Sequence, residues 1–117
     1  MTNKRALSFK YAFEGILTAF KDQPNLKFQF CIGLLVLSLG YYFSISTFEW
    51  VVLILIIGFV LTLELTNTAI EEIVDSFTDK EHPAAKKAKD VAAGAVLIAS
   101  ITAAITGLVI FSPYIFG

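Results

Sequence analysis

Three long stretches without a charged side chain constrain what this chain can fold into more than any other feature of its sequence. They are residues 28–48, 50–63 and 91–117. Since about 20 mostly apolar residues span the hydrocarbon core of a bilayer, the first and third stretches are long enough alone. The second stretch reaches that length only if its helix continues through Glu64. The sequence therefore predicts three transmembrane helices.

The composition fits a membrane protein better than a soluble domain. Of the 117 residues, 56% are hydrophobic and 16% are charged, whereas soluble domains average roughly 45–50% and ~25%. A soluble fold this short needs more polar residues to cover its surface. The net charge of −1 gives no bulk positive charge for nucleic acid. The single Cys31 excludes an intrachain disulfide and a thiolate zinc site.

The N-terminal segment has a different pattern. Its apolar residues recur at helical spacing on one face, while most of its charged residues lie elsewhere, which predicts an amphipathic helix in the membrane interface. A signal peptide is the competing interpretation, but no apolar segment of the required length follows Lys4 and Arg5. Pro24 ends the pattern before the first span. The residues of the apolar face are Phe9, Phe13, Ile16, Leu17 and Phe20.

We therefore expect an all-α integral membrane protein with one domain over residues 1–117. A surface helix covers about 2–22, and the helices that contain the spans cover about 26–48, 49–76 and 90–115. All nine Lys and Arg residues precede the first span or lie between the second and third. The positive-inside rule then puts the N-terminus and the 76–90 loop in the cytoplasm and the C-terminus outside.

Acidic and amide side chains recur on one helical face directly after the second apolar stretch. A carboxylate at the centre of a bilayer costs at least ~2.5–3.5 kcal/mol, so it points to a function. Neighbouring carboxylates repel each other unless a positive charge lies between them, and a divalent cation with phosphate oxygens meets that need. At 100° per residue, offsets of 0, 3, 4, 7 and 11 share this face. The members of this carboxylate stripe are Glu64, Asn67, Thr68, Glu71 and Asp75.

Each of these acids, and the charged residues near the third span, also has a structural explanation. Glu64 could be a structural carboxylate buried in an oligomer, and Glu72, about 80° off the stripe, fits the solvated end of a helix. Lys89 could hold a phosphate as a point charge or snorkel to the interface. Asp90 fits a helix N-cap, and His82 fits an exposed loop. The residues alone leave these alternatives open.

Small residues four apart in the third span predict close contact between helices. They are Ala95, Ala99, Ala103 and Gly107. Three spans do not easily enclose a polar site, so a buried Glu64 argues for a homo-oligomer, without fixing the number of subunits. The sequence contains no Gly-rich phosphate loop, and with one His and one Cys far apart it suggests no Cys/His pair.

Two segments are specific enough to compare with known families: residues 64–75, ELTNTAIEEIVD, and residues 86–97, KKAKDVAAGAVL. They resemble the signature of the prokaryotic diacylglycerol kinase family, which includes the undecaprenol kinases. The similarity covers essentially the whole chain, including residues 8–15, SFKYAFEG. His82 followed by proline, together with residues 89–97, is most similar to the undecaprenol kinase branch.

This resemblance implies a homotrimer in the bacterial cell membrane, with active sites shared between subunits at the cytoplasmic interface. It implies transfer of the γ-phosphoryl group of ATP, with Mg²⁺, to a lipid hydroxyl, that of undecaprenol above all. By the same resemblance, Glu64 is the general base and Glu71 coordinates the metal. The positions implied to support the site or contact ATP are Tyr11, Asn67, Asp75, Glu81, His82, Lys89 and Asp90.

One position departs from the family pattern. Where the family has a second metal-binding Glu, this chain has Gln23, with Asp22 beside it. A neutral Gln offers one carbonyl oxygen, so either metal affinity falls or Asp22 replaces the missing carboxylate. Two other functions stay open: a diacylglycerol kinase with the same sites, and a non-catalytic scaffold or ion-conducting oligomer that uses the stripe as a polar seam.

Overall fold

Four helices make up the part of the chain that the computed structural model describes, residues 3–78 and 82–117. No strand occurs within these two ranges. The last three helices are long and apolar enough to cross a membrane, which gives a multi-pass fold. The helices are α1 (Lys4–Asp22), α2 (Pro24–Phe43), α3 (Thr47–Phe77) and α4 (Pro83–Phe116).

Local capping chemistry sets where these helices begin and end. The helix α2 stops at Phe43 because Ser44 takes a left-handed conformation with φ of 51°. Ser46 then caps α3, and its side chain and that of Glu49 form a reciprocal capping box. The helix α4 begins at Pro83, seven residues before the predicted position 90, because His82 caps it. The apolar stretches indicate which residues lie in the bilayer, whereas the capping residues set where each helix begins and ends.

The helix α3 runs without interruption through Glu64. Its 31 residues make it about 46 Å long at 1.5 Å per residue, which exceeds a hydrocarbon core of about 30 Å. Hydroxyl groups within α3 are satisfied by backbone carbonyls one turn earlier, as for Thr62 on Gly58 at 2.7 Å and Thr66 on Thr62 at 2.9 Å. Its polar residues can therefore lie in apolar surroundings without breaking the helix.

The most extensive helix contact joins α3 to α4, which run in opposite directions. On α3, Leu53 and Val60 are buried seven residues apart. On α4, the buried alanines also repeat every seven residues, which is the spacing of left-handed coiled-coil packing. These alanines let the two helix backbones approach closely. They are Ala85, Ala92 and Ala99.

The densest apolar packing lies near residues 44–46, which we call the turn end of the bundle. Its buried cluster is Ile45, Leu53, Ile110 and Phe111. A Cβ added to Gly40 would lie 3.0 Å from the Trp50 ring, so a larger residue would push this side chain away and loosen the contact of α2 with α3. The Tyr114 hydroxyl donates to Glu49 Oε1 at 2.5 Å, which ties the last turn of α4 to the first turn of α3.

The helix α1 joins α2 through the single residue Gln23 and contacts both α2 and α3. The rings of Phe20 and Phe30 meet edge to face with centroids 5.0 Å apart. No residue of α1 is buried, and Phe9 and Phe13 are 77% and 62% exposed. The amphipathic surface position of α1 in a membrane stays a prediction.

Candidate functional site

Glu64 is the buried carboxylate of the bundle, with 7% of its surface exposed. The carboxylate accepts no hydrogen bond from a residue in the described ranges, and the Thr68 hydroxyl binds the Glu64 backbone carbonyl at 2.9 Å instead. Neighbouring helices of the same chain bury Glu64 to this degree. Packing within one chain thus covers most of Glu64, and the homo-oligomer expected from the sequence stays a prediction.

One turn further along the stripe, an amide binds a carboxylate. Asn67 Nδ2 donates to Glu71 Oε1 at 3.1 Å, across the (i, i+4) spacing of a helix. Asn67 Oδ1 is buried without a hydrogen-bond partner, and it is the only such side-chain atom among the described residues. The donor side of the amide thus holds Glu71, while its acceptor side is free for a donor or a cation.

At the far end of the stripe, α3 and α4 are joined by an ion pair. Lys89 Nζ lies 2.8 Å from Asp75 Oδ1, with 30% and 48% of the two side chains exposed. The two residues are 14 positions apart in sequence and meet because α4 packs antiparallel to α3. The sequence predicted that both belong to one site, and the packing brings them together. The partial exposure of this pair leaves Lys89 accessible to an anion from solvent.

Asp90 and His82 have other contacts. Asp90 Oδ2 pairs with Lys86 Nζ at 2.6 Å on the exposed face of α4. Asp90 is not the N-cap of this helix, since His82 Nδ1 fills that role and accepts from the Ala85 backbone N–H at 3.4 Å. Lys86 was not among the predicted site residues, although its (i, i+4) spacing to Asp90 is a signal for such a pair.

The remaining predicted residues lie on or beside α1, or outside the described ranges. Tyr11 is 63% exposed on α1. Gln23 is the C-cap of α1, and its backbone N–H donates to the Ala19 carbonyl at 2.9 Å. No hydrogen bond or ion pair joins either residue to the stripe within the part of the chain that is described. Glu81 lies outside that part.

The oxygen atoms of Glu71 and Asn67 suit a cation that phosphate oxygens also bind. Within residues 3–78 and 82–117, no three His, Cys, Asp or Glu side chains converge to hold a metal. Magnesium in phosphate-transfer sites needs no such cage, because one or two carboxylates and the phosphate oxygens suffice. Glu71, with the unpartnered Asn67 Oδ1 beside it, offers oxygen ligands of this type.

Comparison with known proteins gives matches over most of the chain. A family model described as prokaryotic diacylglycerol kinase matches residues 10–111. The chain is 43% identical to an undecaprenol kinase of Bacillus subtilis over 95% of its own length and 90% of that protein. It is 39% identical to a diacylglycerol kinase of Synechocystis over 92% and 62% of the two chains. For a diacylglycerol kinase of Escherichia coli K12 the identity is 30% over 82% and 79%.

Proposed function

The chain belongs to the prokaryotic diacylglycerol kinase family and is a lipid kinase of membranes, and from that premise we propose that it phosphorylates undecaprenol with ATP. The observation that carries the proposal is the extent of the carboxylate stripe along α3. It begins at the buried Glu64 and ends at the partly exposed Asp75, which pairs with Lys89. One helix face thereby connects a site for a membrane lipid with a site for a soluble nucleotide.

Glu64 is the residue proposed to act on the lipid hydroxyl. Its carboxylate lies 15 residues after Glu49, about 22 Å along the helix, so a lipid hydroxyl can meet it within the bilayer. Glu64 takes the hydroxyl proton as the lipid oxygen attacks the γ-phosphorus of ATP. A new P–O bond forms, the bond between the β–γ bridging oxygen and the γ-phosphorus breaks, and ADP leaves. A buried carboxylate without another proton donor suits this role.

Lys89 and Asp75 are the residues proposed to bind the phosphates of ATP. Lys89 acts as a point charge on the phosphates, and Asp75, 2.8 Å from its ammonium group, orients it. Phosphoryl transfer depends mainly on positioned charges, so this arrangement supplies what the reaction needs without a covalent intermediate. Tyr11, His82 and Asp90 complete the proposed ATP contacts by family membership, as does Glu81.

Residues near the middle of the stripe suit a magnesium ion that arrives with ATP. Glu71, held by Asn67 at 3.1 Å, is the proposed carboxylate ligand, and Gln23 or Asp22 is the proposed second one. When bound, the ion neutralises charge on the transferred phosphoryl group. Because no three candidate ligands converge among the described residues of one chain, we propose that sites are completed by phosphates and by neighbouring subunits of a homotrimer.

The proposed orientation puts the N-terminus, the ends of α3 and α4 near Asp75 and Lys89, and the active site in the cytoplasm of a bacterium. All nine Lys and Arg residues lie on that side if α2, α3 and α4 each cross the membrane once. The C-terminus then lies outside. ATP, a cytoplasmic metabolite, reaches the exposed end of the stripe directly.

The variant Glu64→Gln tests the assignment of the base. General-base catalysis typically contributes ~10²–10⁴-fold, so we expect kcat to fall by that range, while assembly in detergent stays unchanged. Glu72→Gln is the matched control because Glu72 is an exposed acid on the same helix outside the stripe, and it should retain activity. Turnover like that of the wild type in Glu64→Gln would contradict the assignment.

The lipid is identified by initial rates of ADP release with purified protein in mixed micelles. Undecaprenol and diacylglycerol are supplied separately, since both kinds of kinase occur among the relatives. We expect the higher kcat/KM with undecaprenol. A preference for diacylglycerol would make the protein a diacylglycerol kinase, and no lipid-dependent ADP release would favour a non-catalytic scaffold or ion-conducting oligomer.

A further inference from the structure

The first two turns of α4 carry two lysines that are each paired with an acid. Lys86 Nζ lies 2.6 Å from Asp90 Oδ2, and Lys89 Nζ lies 2.8 Å from Asp75 Oδ1. Asp90 follows Lys89 directly in sequence, and its charge also acts on the Lys89 ammonium group. The four side chains therefore form a row of alternating charge that begins at the carboxylate stripe and ends at Lys86 on the exposed face of α4.

Helix stability does not explain a lysine at position 86. The positive end of the helix dipole lies at the N-terminus, so a cation in the first turn is unfavourable there and an acid is favourable. The first turn of α4 nevertheless contains no acid and ends with Lys86. The order of the pair is also the weaker one, because an acid four residues before a lysine stabilises a helix better than the reverse. Since 71% of the Lys86 side chain is exposed, its pair with Asp90 adds little to stability.

Lys86 lies on the same side of α4 as Lys89, whereas the neighbouring Lys87 does not. At 100° per residue, positions 86 and 89 are about 60° apart around the helix, while positions 87 and 89 are about 160° apart. Lys86 and Lys87 supply the same charge to the cytoplasmic side of the membrane, so the positive-inside rule accounts for both equally. Of the two, only Lys86 extends the positive surface that Lys89 presents.

Lys86 also lies one turn closer to the cytoplasmic end of α4 than Lys89. Three residues correspond to about 4.5 Å along the helix axis. In the proposed reaction the γ-phosphate of ATP lies towards Glu64 and Glu71, so the other phosphates and the nucleoside lie on its cytoplasmic side. A cation one turn beyond Lys89 therefore meets the phosphates that remain in ADP. The exposed pair with Asp90 is weak enough to be exchanged for a phosphate, which a lysine binds as a point charge.

We propose that Lys86 is a second phosphate-binding cation of the nucleotide site and contacts the α- and β-phosphates that ATP and ADP share. Asp90 holds the Lys86 side chain in place at 2.6 Å until the nucleotide binds. The proposal rests on the proposed kinase function and adds a residue to its nucleotide site. Because Lys86 binds substrate and product alike, it contributes to nucleotide affinity and not to the rate of phosphoryl transfer.

The test compares Lys86→Met with Lys86→Arg, which keeps the charge, and with Lys87→Met, which removes an adjacent exposed charge. Initial rates of ADP release give kcat and the KM for ATP, and calorimetric titration of the purified protein in micelles with ADP and Mg²⁺ gives the Kd of ADP. We expect Lys86→Met to raise this KM and this Kd together, by roughly threefold to tenfold, because one charge-assisted contact is lost. The kcat and the KM for the lipid should not change. Lys86→Arg should recover most of the lost affinity, and Lys87→Met should change none of these constants.

Several outcomes would overturn the proposal. They are an unchanged KM for ATP in Lys86→Met, an equal rise in Lys87→Met, or a lower kcat with an unchanged Kd of ADP. The first would leave the Lys86–Asp90 contact as an ion pair of the helix surface, and the second would show that only the general positive charge matters. If Lys86→Met does not fold, Lys86→Gln gives the same comparison. A wild type without lipid-dependent ADP release would instead contradict the kinase function itself, while the Kd of ADP would still test Lys86.

Discussion

Replacing Glu64 by leucine should inactivate the protein and stabilise it at the same time. Glu64 is 7% exposed, and its carboxylate accepts no hydrogen bond from the described residues. A carboxylate near the centre of a membrane-spanning helix costs at least ~2.5–3.5 kcal/mol relative to an apolar residue. Leucine is of similar size and is apolar, so it fits the buried face of α3 that also carries Leu53 and Val60.

We therefore expect the free energy of unfolding to rise by about 2–3 kcal/mol in Glu64→Leu, with no measurable turnover. The assay is equilibrium unfolding by SDS in mixed micelles, followed by circular dichroism or tryptophan fluorescence of Trp50, the one tryptophan. Glu72→Leu is the control, because Glu72 is exposed on the same helix and its removal should change stability by no more than about 0.5 kcal/mol.

The opposite result would refute the reasoning. If Glu64→Leu is as stable as the wild type or less stable, the carboxylate has a partner in the assembled protein that compensates its burial. Glu64 would then be a structural carboxylate, as the sequence also allowed. Loss of activity without a gain in stability thus distinguishes a structural role from a site maintained for chemistry at the expense of stability.

Two further substitutions test the packing and the nucleotide site. Leu53 is only 1% exposed, and Leu53→Ala should lower the free energy of unfolding in SDS titration by about 2 kcal/mol. This is the low end of the range for cores of soluble proteins, because lipid supplies no hydrophobic driving force between helices. Leu55→Ala, at a position 67% exposed, should be close to neutral, and an equal loss in both would contradict this account. Lys89→Met should raise the KM for ATP in steady-state kinetics and leave the KM for the lipid unchanged, because Lys89 pairs with Asp75 at the exposed end of the stripe. Lys87→Met, which removes an exposed neighbouring charge, should change neither KM, and an ATP defect of equal size there would show that only the general positive charge matters.

The sequence predicted the spans and the stripe because both depend on one-dimensional patterns. Uncharged stretches identify α2, α3 and α4, and helical periodicity alone aligns Glu64 with Glu71 and Asp75. Hydropathy did not predict that α4 begins at Pro83, because Ala and Lys, which form helices well, extend it beyond the apolar stretch. The capping box of Ser46 and Glu49 was present in the sequence as a recognisable S-x-x-E signal for the start of α3.

Contacts between helices could not be predicted from such patterns. The pairing of Lys89 with Asp75 depends on the register of α4 against α3, which the alanine seam sets in three dimensions. The burial of Glu64 within one chain has the same origin, whereas the oligomer expected from the number of spans stays a prediction.

The uneven packing of the bundle determines where it opens first. Its apolar cluster, the Gly40–Trp50 contact and the Tyr114–Glu49 bond all lie at the turn end, far from the proposed chemistry. Around Asp75 the helices α3 and α4 are held by alanine contacts and one partly exposed ion pair. Regions with few buried apolar contacts open at the lowest free energy. Backbone amides near Asp75 should therefore exchange hydrogen before those near Leu53, and the helices can separate at the catalytic end to release product while the opposite end keeps them in register.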